Sequence, residues 1–131
     1  MNALTDEEAI TISRQVINIL DDWEIGTQDK ILILGLYKKV PVRSFNLLGK
    51  SKALPMDSDG VEIIKQIVAI DEALSTTYPM NSQVARLWLH RPHRRFKKRT
   101  PIKTMIEEGI NGLIKVHAHL DCAYAWELSE G

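Results

Sequence analysis

The chain has 131 residues, which is enough for one domain with a sizeable buried core. Hydrophobic residues make up 44% and charged residues 26% of it, the composition of an ordinary globular protein. Because Lys and Arg together number 17 and Asp and Glu also number 17, the net charge excludes neither acidic nor basic partners. The single cysteine excludes a disulfide within the chain and favours a reducing compartment.

Neither a membrane span nor a secretion signal is visible in the sequence. No apolar run approaches the roughly 18 residues of a spanning helix. The N-terminus lacks the basic start and the apolar stretch of a signal peptide. We therefore expect a cytoplasmic protein that does not enter a membrane.

Apolar residues recur at spacings of three and four along nearly the whole chain, which predicts an all-α fold, a small multi-helix bundle. The first helix is predicted from about Thr5 to Trp23, with Thr5 and Glu8 forming a capping box at its start. Thr27 is predicted to cap a second helix. That helix would end at Gly35, in a left-handed conformation that other residues resist.

The first three predicted helices have the layout of a helix-turn-helix. Pro41 opens the third of them, which would hold Val42, Phe45 and Leu48. Candidate DNA-binding residues surround this recognition helix: Lys38, Lys39, Arg43, Ser44, Asn46, Lys50 and Lys52. Cations there can neutralise phosphates, and Arg43 or Asn46 can reach a base edge. The alternative is a small helical bundle whose lysines are only solvated.

A longer helix is predicted to start at Asp57 or Ser58 and to stop before Pro79. We expect it to be the central helix, because its apolar stripe is broad. The stripe consists of Ile63, Ile67, Ile70 and Leu74.

Three more helices complete the prediction. Asn81 or Ser82 caps the first of them, Thr100-Pro101 opens the second, and Gly109 separates the second from the last. In the last helix the apolar phase is carried by Ile110, Leu113, Ile114, His117 and Leu120.

Basic residues crowd one segment in the second half of the chain, whereas acidic residues collect near its start. The segment holds Arg91, Arg94, Arg95, Lys97, Lys98, Arg99 and Lys103. This polarised distribution predicts an anionic partner, either nucleic-acid phosphates or an acidic protein surface. The loop around it is predicted to be too charged to bury, and its Phe96 either folds back onto the core or anchors a partner.

The residue types that catalysis or a metal site needs are present, but not at useful spacings. His117 and His119 are two residues apart, so on a helix they point about 200° away from each other. His90 and His93 have no carboxylate at ligand spacing, and Cys122 has the neighbours of a small core residue. No phosphate-binding glycine loop is found. We therefore expect no enzyme, no metal ion and no cofactor.

A series of motifs runs through the second half of the chain. They are Trp88-Leu89, Pro92, Phe96, Pro101, Gly109 with Gly112, Leu120-Asp121-Cys122 and Trp126. Their order and spacing together resemble the toxin-binding region of the Xre/MbcA/ParS antitoxin family. The chain departs from the usual pattern at Lys97-Lys98, where relatives often have glycine, and at Cys122, where alanine is common.

The resemblance implies two parts, an Xre-like helix-turn-helix body in residues 1–79 and a toxin-binding region in residues 80–131. The usual partner in this family is a RES-domain toxin that destroys NAD, and the antitoxin covers its active site. Family members also form homodimers, and they typically repress their own operon by binding operator DNA. In the recognition helix this chain has Leu48-Gly49-Lys50, where many relatives have an aromatic residue followed by basic ones.

The resemblance and the charge of the basic segment together select the candidate toxin contacts. They are Trp88, Arg91, Arg94, Arg95, Phe96, Arg99, Asp121, Tyr124, Trp126 and Glu127. Trp126 lies near the end of the chain, with little core to enter, and either meets the toxin or packs on its own helix.

The sequence therefore predicts an antitoxin that neutralises a RES-type toxin by steric occlusion. The alternative is a helix-turn-helix transcriptional regulator without a toxin partner. A further alternative is a family member that has lost both partners.

Overall fold

The computed structural model describes the backbone of residues 4–130 and the side chains of residues 4–121. This part of the chain is all-α, a small multi-helix bundle, as predicted. The helices are α1 (Asp6–Asp22), α2 (Thr27–Ile33), α3 (Val42–Phe45), α4 (Ser58–Thr77), α5 (Ser82–Leu89), α6 (Pro101–Glu108) and α7 (Ile110–Glu130). A short 3-10 turn, Arg94–Phe96, lies between α5 and α6. Within residues 4–130 no helix has the length and apolarity needed to cross a bilayer.

The central helix is α4, as its broad apolar stripe predicts. Its residues Ile63, Ile67, Ile70 and Leu74 are all buried. The helix packs most extensively against α7 and also contacts α1 and α5. One continuous hydrophobic cluster joins these helices, so the described parts of the two predicted regions, residues 4–79 and 80–121, share a single core.

The buried face of α7 differs in part from the prediction. Leu113, Val116 and Leu120 are buried, at spacings of three and four. Ile114, which was expected in phase with them, is 43% exposed, and His117 is only half-buried. The apolar phase was misread because the core takes one narrow stripe of α7, and Val116 rather than Ile114 belongs to it.

Side-chain caps fix the start of four helices. The capping box of α1 is confirmed, because Thr5 Oγ1 accepts from the Glu8 amide and Glu8 accepts from the Thr5 amide, each at 3.1 Å. Hydrogen bonding of the Glu8 carboxyl to the backbone amide of Thr5, and next to its side chain, lowers the pKa of that carboxyl. The sequence left Asp57 or Ser58 as the start of α4 and Asn81 or Ser82 as the cap of α5; the caps are Asp57 and Asn81. Thr100 caps α6, as predicted.

The second helix starts one residue earlier than predicted. Gly26 is its N-cap, and Thr27 is its first helical residue, because the Lys30 amide already donates to the Gly26 carbonyl at 2.9 Å. The predicted stop is confirmed, since Gly35 follows the helix with φ +69°. The amine of Lys30 is buried here and pairs with Asp21 of α1, a contact that apolar spacing cannot reveal.

The third helix is shorter than predicted. It has a single turn, Val42–Phe45, with Pro41 as its N-cap rather than inside it. The amides of Leu47 and Leu48 donate three residues back, and Gly49 then adopts φ +82° and turns the chain. Leu48 therefore lies outside the helix, although it is buried as expected.

A polar contact of α1 holds the segment that follows α3. Ser13 is fully buried, and its hydroxyl donates to the Ala9 carbonyl and accepts from the Leu54 amide, each at 2.7 Å. Arg14 also donates from Nε to the Gly49 carbonyl at 2.8 Å. These bonds attach residues 49–54 to α1 and satisfy backbone groups that would otherwise be buried without partners.

The hairpin of α6 and α7 depends on Gly112. A Cβ at this position would lie 2.3 Å from the carbonyl oxygen of Thr104 and 2.9 Å from the Cα of Met105. Both atoms belong to the backbone and cannot move aside as a side chain would. The missing side chain of Gly112 therefore sets how closely the two helices approach.

We expect Gly112→Ala to lower the free energy of unfolding by about 3 kcal/mol, because the added methyl group forces α6 and α7 apart. Urea unfolding followed by circular dichroism measures the change. Gly26→Ala is the matched control, since a Cβ at Gly26 meets nothing within 4 Å. If both substitutions change stability equally, the close approach at Gly112 is not what the hairpin depends on.

Candidate partner-binding surface

Residues 91–99, here called the basic turn, are mostly exposed, as their charge predicts, and backbone hydrogen bonds give the segment a defined shape. The His93 amide donates to the Arg99 carbonyl at 3.1 Å, and the Lys98 amide donates to the His93 carbonyl at 3.0 Å. Lys97 and Lys98 both lie in the left-handed region, with φ +57° and +66°. This conformation is unfavourable for residues other than glycine.

The ring of Phe96 fixes the basic turn to the helices beneath it. Phe96 is 2% exposed, so of the two predicted positions it takes the one that folds back onto the core. Its ring centroid lies 6.4 Å from that of Trp88 on α5, 6.1 Å from that of His93 and 5.4 Å from that of His119 on α7. The prediction that Phe96 contacts a toxin is therefore wrong, because its side chain is buried in this ring cluster and is not accessible to a partner.

Trp88 and His119 stack at the centre of the same cluster. Their centroids are 5.7 Å apart and their planes differ by 15°. Trp88 is half-buried, so its indole supports the basic turn from below and keeps only part of its surface for a partner. Burial lowers the pKa of His119, and the nearby Arg95 and His93 lower it further. The Nδ1 atom of His119 is buried and forms no hydrogen bond in the described structure.

Arg99 differs from the other cations of the basic turn because it forms ion pairs within the chain, and its predicted toxin contact stays a prediction. Its guanidinium donates to Glu107 at 2.9 Å and to Glu108 at 2.5 Å, both near the end of α6. The hydrogen bonds that Arg99 donates to Glu108 and Glu107 raise the pKa of Arg99, and the bonds donated by Lys115 and Arg99 lower the pKa of Glu108. The charge of Arg99 is thus neutralised within the chain, because α6 brings two carboxylates to it.

The other cations of the basic turn have no such partner. Arg91, Arg94, Arg95, Lys97 and Lys98 are exposed. None of them forms an ion pair with the acidic side chains that the structure describes up to Asp121. This surface is consequently strongly positive, as the sequence predicts.

Next to the basic turn, two apolar side chains of α5 are exposed, Val84 at 38% and Leu87 at 58%. Met80, in the turn before the helix, is 94% exposed. The inner face of the helix consists of Ala85 and Leu89, together with part of Trp88. The sequence alone does not reveal this exposure, because the spacing of Val84 and Leu87 equally fits core residues of the helix.

The predicted contacts in the tail lie at the end of α7. Asp121 is exposed, and its Oδ2 lies 3.3 Å from His117 Nε2 one turn earlier. Tyr124, Trp126 and Glu127 belong to α7, but their side chains lie outside the described residues. The prediction that they meet a toxin stays a prediction.

The candidate DNA-binding residues of the front half are spread over turns rather than along a helix. Only Arg43 and Ser44 lie within α3, and Ser44 is half-buried. The others are exposed in the turns before and after it: Lys38, Lys39, Asn46, Lys50 and Lys52. A one-turn helix offers a DNA groove few side chains, so these cations are better placed for phosphates than for base edges.

The chain matches no protein-family model, and a comparison with curated proteins finds no significant match. The described side chains include no cluster of three His, Cys, Asp or Glu residues that could hold a metal ion.

The left-handed conformation of Lys97 gives a direct test of the basic turn. We expect Lys97→Gly to raise the free energy of unfolding by about 1 kcal/mol, because glycine adopts this conformation without the steric penalty of a Cβ. Lys50→Gly is the control, since Lys50 is an exposed turn lysine without a positive φ. Chemical denaturation of both variants measures the difference. A loss of stability in Lys97→Gly equal to that in Lys50→Gly would contradict the described turn.

His119 provides a prediction on pH. Because its pKa is lowered in the folded state, the unfolded chain binds the proton more readily, so stability is full above about pH 6.5 and falls as the pH decreases below it. We expect His119→Phe, which keeps a ring beside Trp88, to reduce this loss between pH 7.5 and 5. Urea unfolding at the two pH values measures it. An unchanged pH dependence would show that His119 is not the titrating group.

Proposed function

We propose that this protein is an antitoxin of the Xre/MbcA/ParS type, which neutralises a RES-domain toxin by covering its active site. The proposal rests on the motifs between Trp88 and Trp126. Those with described side chains lie close together in the structure: Trp88 and Phe96 share a ring cluster, Pro101 occupies the first turn of α6, and Gly112 sets the approach of α6 to α7.

The single observation that carries the proposal is the backbone of the basic turn. Relatives often have glycine where this chain has Lys97 and Lys98, and both lysines adopt positive φ values here. A position that needs a left-handed conformation is one where glycine is favoured. Lysine in place of glycine at these two positions is thus compatible with the backbone that glycine would adopt, although the lysines add conformational strain.

The mechanism we propose is steric. An inhibitor of this kind needs a rigid body and a surface complementary to its target, and it needs no catalytic group of its own. The continuous core of α4 and α7 supplies the rigid body. The end of α7 and the basic turn together supply the surface.

Repression of an operon is the second candidate function. The exposed cations between Lys38 and Lys52 favour it, because they have no carboxylate partner among the described side chains. Because α3 has a single turn, few of its side chains can reach base edges, so these cations are better suited to contact phosphates than to recognise a DNA sequence. A chain that acted only in this way would bind duplex DNA with a steep dependence on salt and would not respond to a toxin.

Deletion of residues 121–131 tests the antitoxin proposal. We expect the shortened chain to stay folded, since it keeps all the described core residues up to Leu120, and to lose its ability to protect cells that express a RES-domain toxin. Growth and cellular NAD measure protection, and circular dichroism with thermal unfolding measures folding. A folded deletion variant that protects cells as well as the full chain would remove the tail from the proposed site.

A further inference from the structure

The surface of the basic turn consists mainly of positive charge. Its aromatic side chain, Phe96, is 2% exposed and belongs to the core. No ion pair joins the exposed cations of the turn to any carboxylate within residues 4–121, the part of the chain whose side chains are described. These cations are five of the nine residues of the turn: Arg91, Arg94, Arg95, Lys97 and Lys98.

A surface of this composition fits a phosphate backbone better than an acidic protein. Stable protein interfaces have a desolvated centre of apolar and aromatic side chains, and their charged residues lie around that centre. The basic turn has no such centre, because its ring is buried. Duplex DNA carries one negative charge per about 1.7 Å of its axis, and cations bind it by releasing counterions, without any apolar contact.

The same features favour duplex DNA over other nucleic acids. Single strands are bound by aromatic side chains on which bases stack, whereas Phe96 is buried and Trp88 is half-buried below the turn. Recognition of duplex RNA spans about 16 base pairs and two minor grooves, which is more than a single turn can cover. Contact with phosphates alone carries no direct sequence information, so we expect the binding to tolerate any sequence.

The fold holds these cations on a defined backbone. The His93 amide donates to the Arg99 carbonyl at 3.1 Å, and the Lys98 amide donates to the His93 carbonyl at 3.0 Å. Arg99 also donates to two carboxylates near the end of α6, which ties the turn to that helix. A segment that is already ordered loses less conformational freedom on binding than a flexible basic tail does.

We infer that the basic turn binds the phosphate backbone of double-stranded DNA without recognising its sequence. The inference goes beyond the proposed function and does not depend on it. The turn belongs to the predicted region 80–131, whereas the cations that favour operator binding lie between Lys38 and Lys52. A toxin and a duplex would exclude each other at this turn, so a chain with both partners holds only one of them there.

The test measures binding of the full chain to a random duplex of about 20 base pairs by fluorescence anisotropy, at salt concentrations between about 50 and 200 mM. Each cation that contacts a phosphate contributes about 0.9 to the slope of log K against log salt. We expect Lys97→Gly combined with Lys98→Gly to reduce that slope by about 2 and to weaken binding at least about tenfold at low salt.

This double substitution separates charge from folding. Both lysines have positive φ values, which glycine adopts at a lower steric cost, so the variant should be at least as stable as the unchanged chain. Loss of DNA binding by a more stable protein is the result that supports the inference. Lys65→Gln is the matched control, because Lys65 is an exposed lysine of α4, outside the basic turn. It should bind as the unchanged chain does.

Three outcomes would overturn the inference. The first is an unchanged salt slope in the glycine variant, or a slope that only Lys38→Gln with Lys39→Gln reduces, which would place DNA around α3. The second is absence of duplex binding by the unchanged chain at low salt. The third is equally tight binding of a polyglutamate peptide, which would indicate an acidic protein as the partner. None of them bears on the antitoxin proposal, because no toxin takes part in the measurement.

Discussion

The packing of α4 against α7 is the constraint on which the rest of the structure depends. Ile67 and Ile70 of α4 and Leu113 and Val116 of α7 are fully buried, and the two helices share the largest contact in the molecule. α4 belongs to the part predicted as a DNA-binding body, and α7 belongs to the part predicted to bind a toxin. The two roles would therefore be built on one core, and a change in that core would affect both of them.

The position of α6 decides which arginines of the basic turn form ion pairs within the chain. Arg99 meets Glu107 and Glu108 and becomes part of the fold, whereas Arg94 and Arg95, only a few residues earlier, meet no described carboxylate. Residues of the same type in one short segment thus divide into structural and available cations. The sequence shows only that they are basic, since the position of α6 relative to the turn decides which are neutralised.

Much of the fold follows from local signals in the sequence. The caps at Thr5, Asp57, Asn81 and Thr100 depend on side chains that bond to amides two or three residues away, so a short window of sequence contains the information. The stripe of α4 is equally clear, because the helix is long and its apolar residues keep one phase. These predictions are confirmed.

The predictions that failed depend on contacts between distant residues. Ile114 and Val116 are both apolar, and only the placement of α4 and α6 decides that Val116 is buried. The third helix stops after one turn because Gly49 turns the chain close to Arg14 of α1, 35 residues away in sequence. Phe96 is buried because α5 and α7 bring Trp88 and His119 to meet it. No spacing rule along the chain contains such information.

The strained backbone of the basic turn connects the fold with the proposed site. Two consecutive lysines in the left-handed region have a conformational cost of about 1–2 kcal/mol each, which the surrounding structure must offset. The ring of Phe96 and the bond between His93 and Arg99 hold the turn in this shape. Glycine would form the same turn with less strain but would present no charge. The five exposed cations of the basic turn are thus carried by a backbone that the buried ring of Phe96 holds in place.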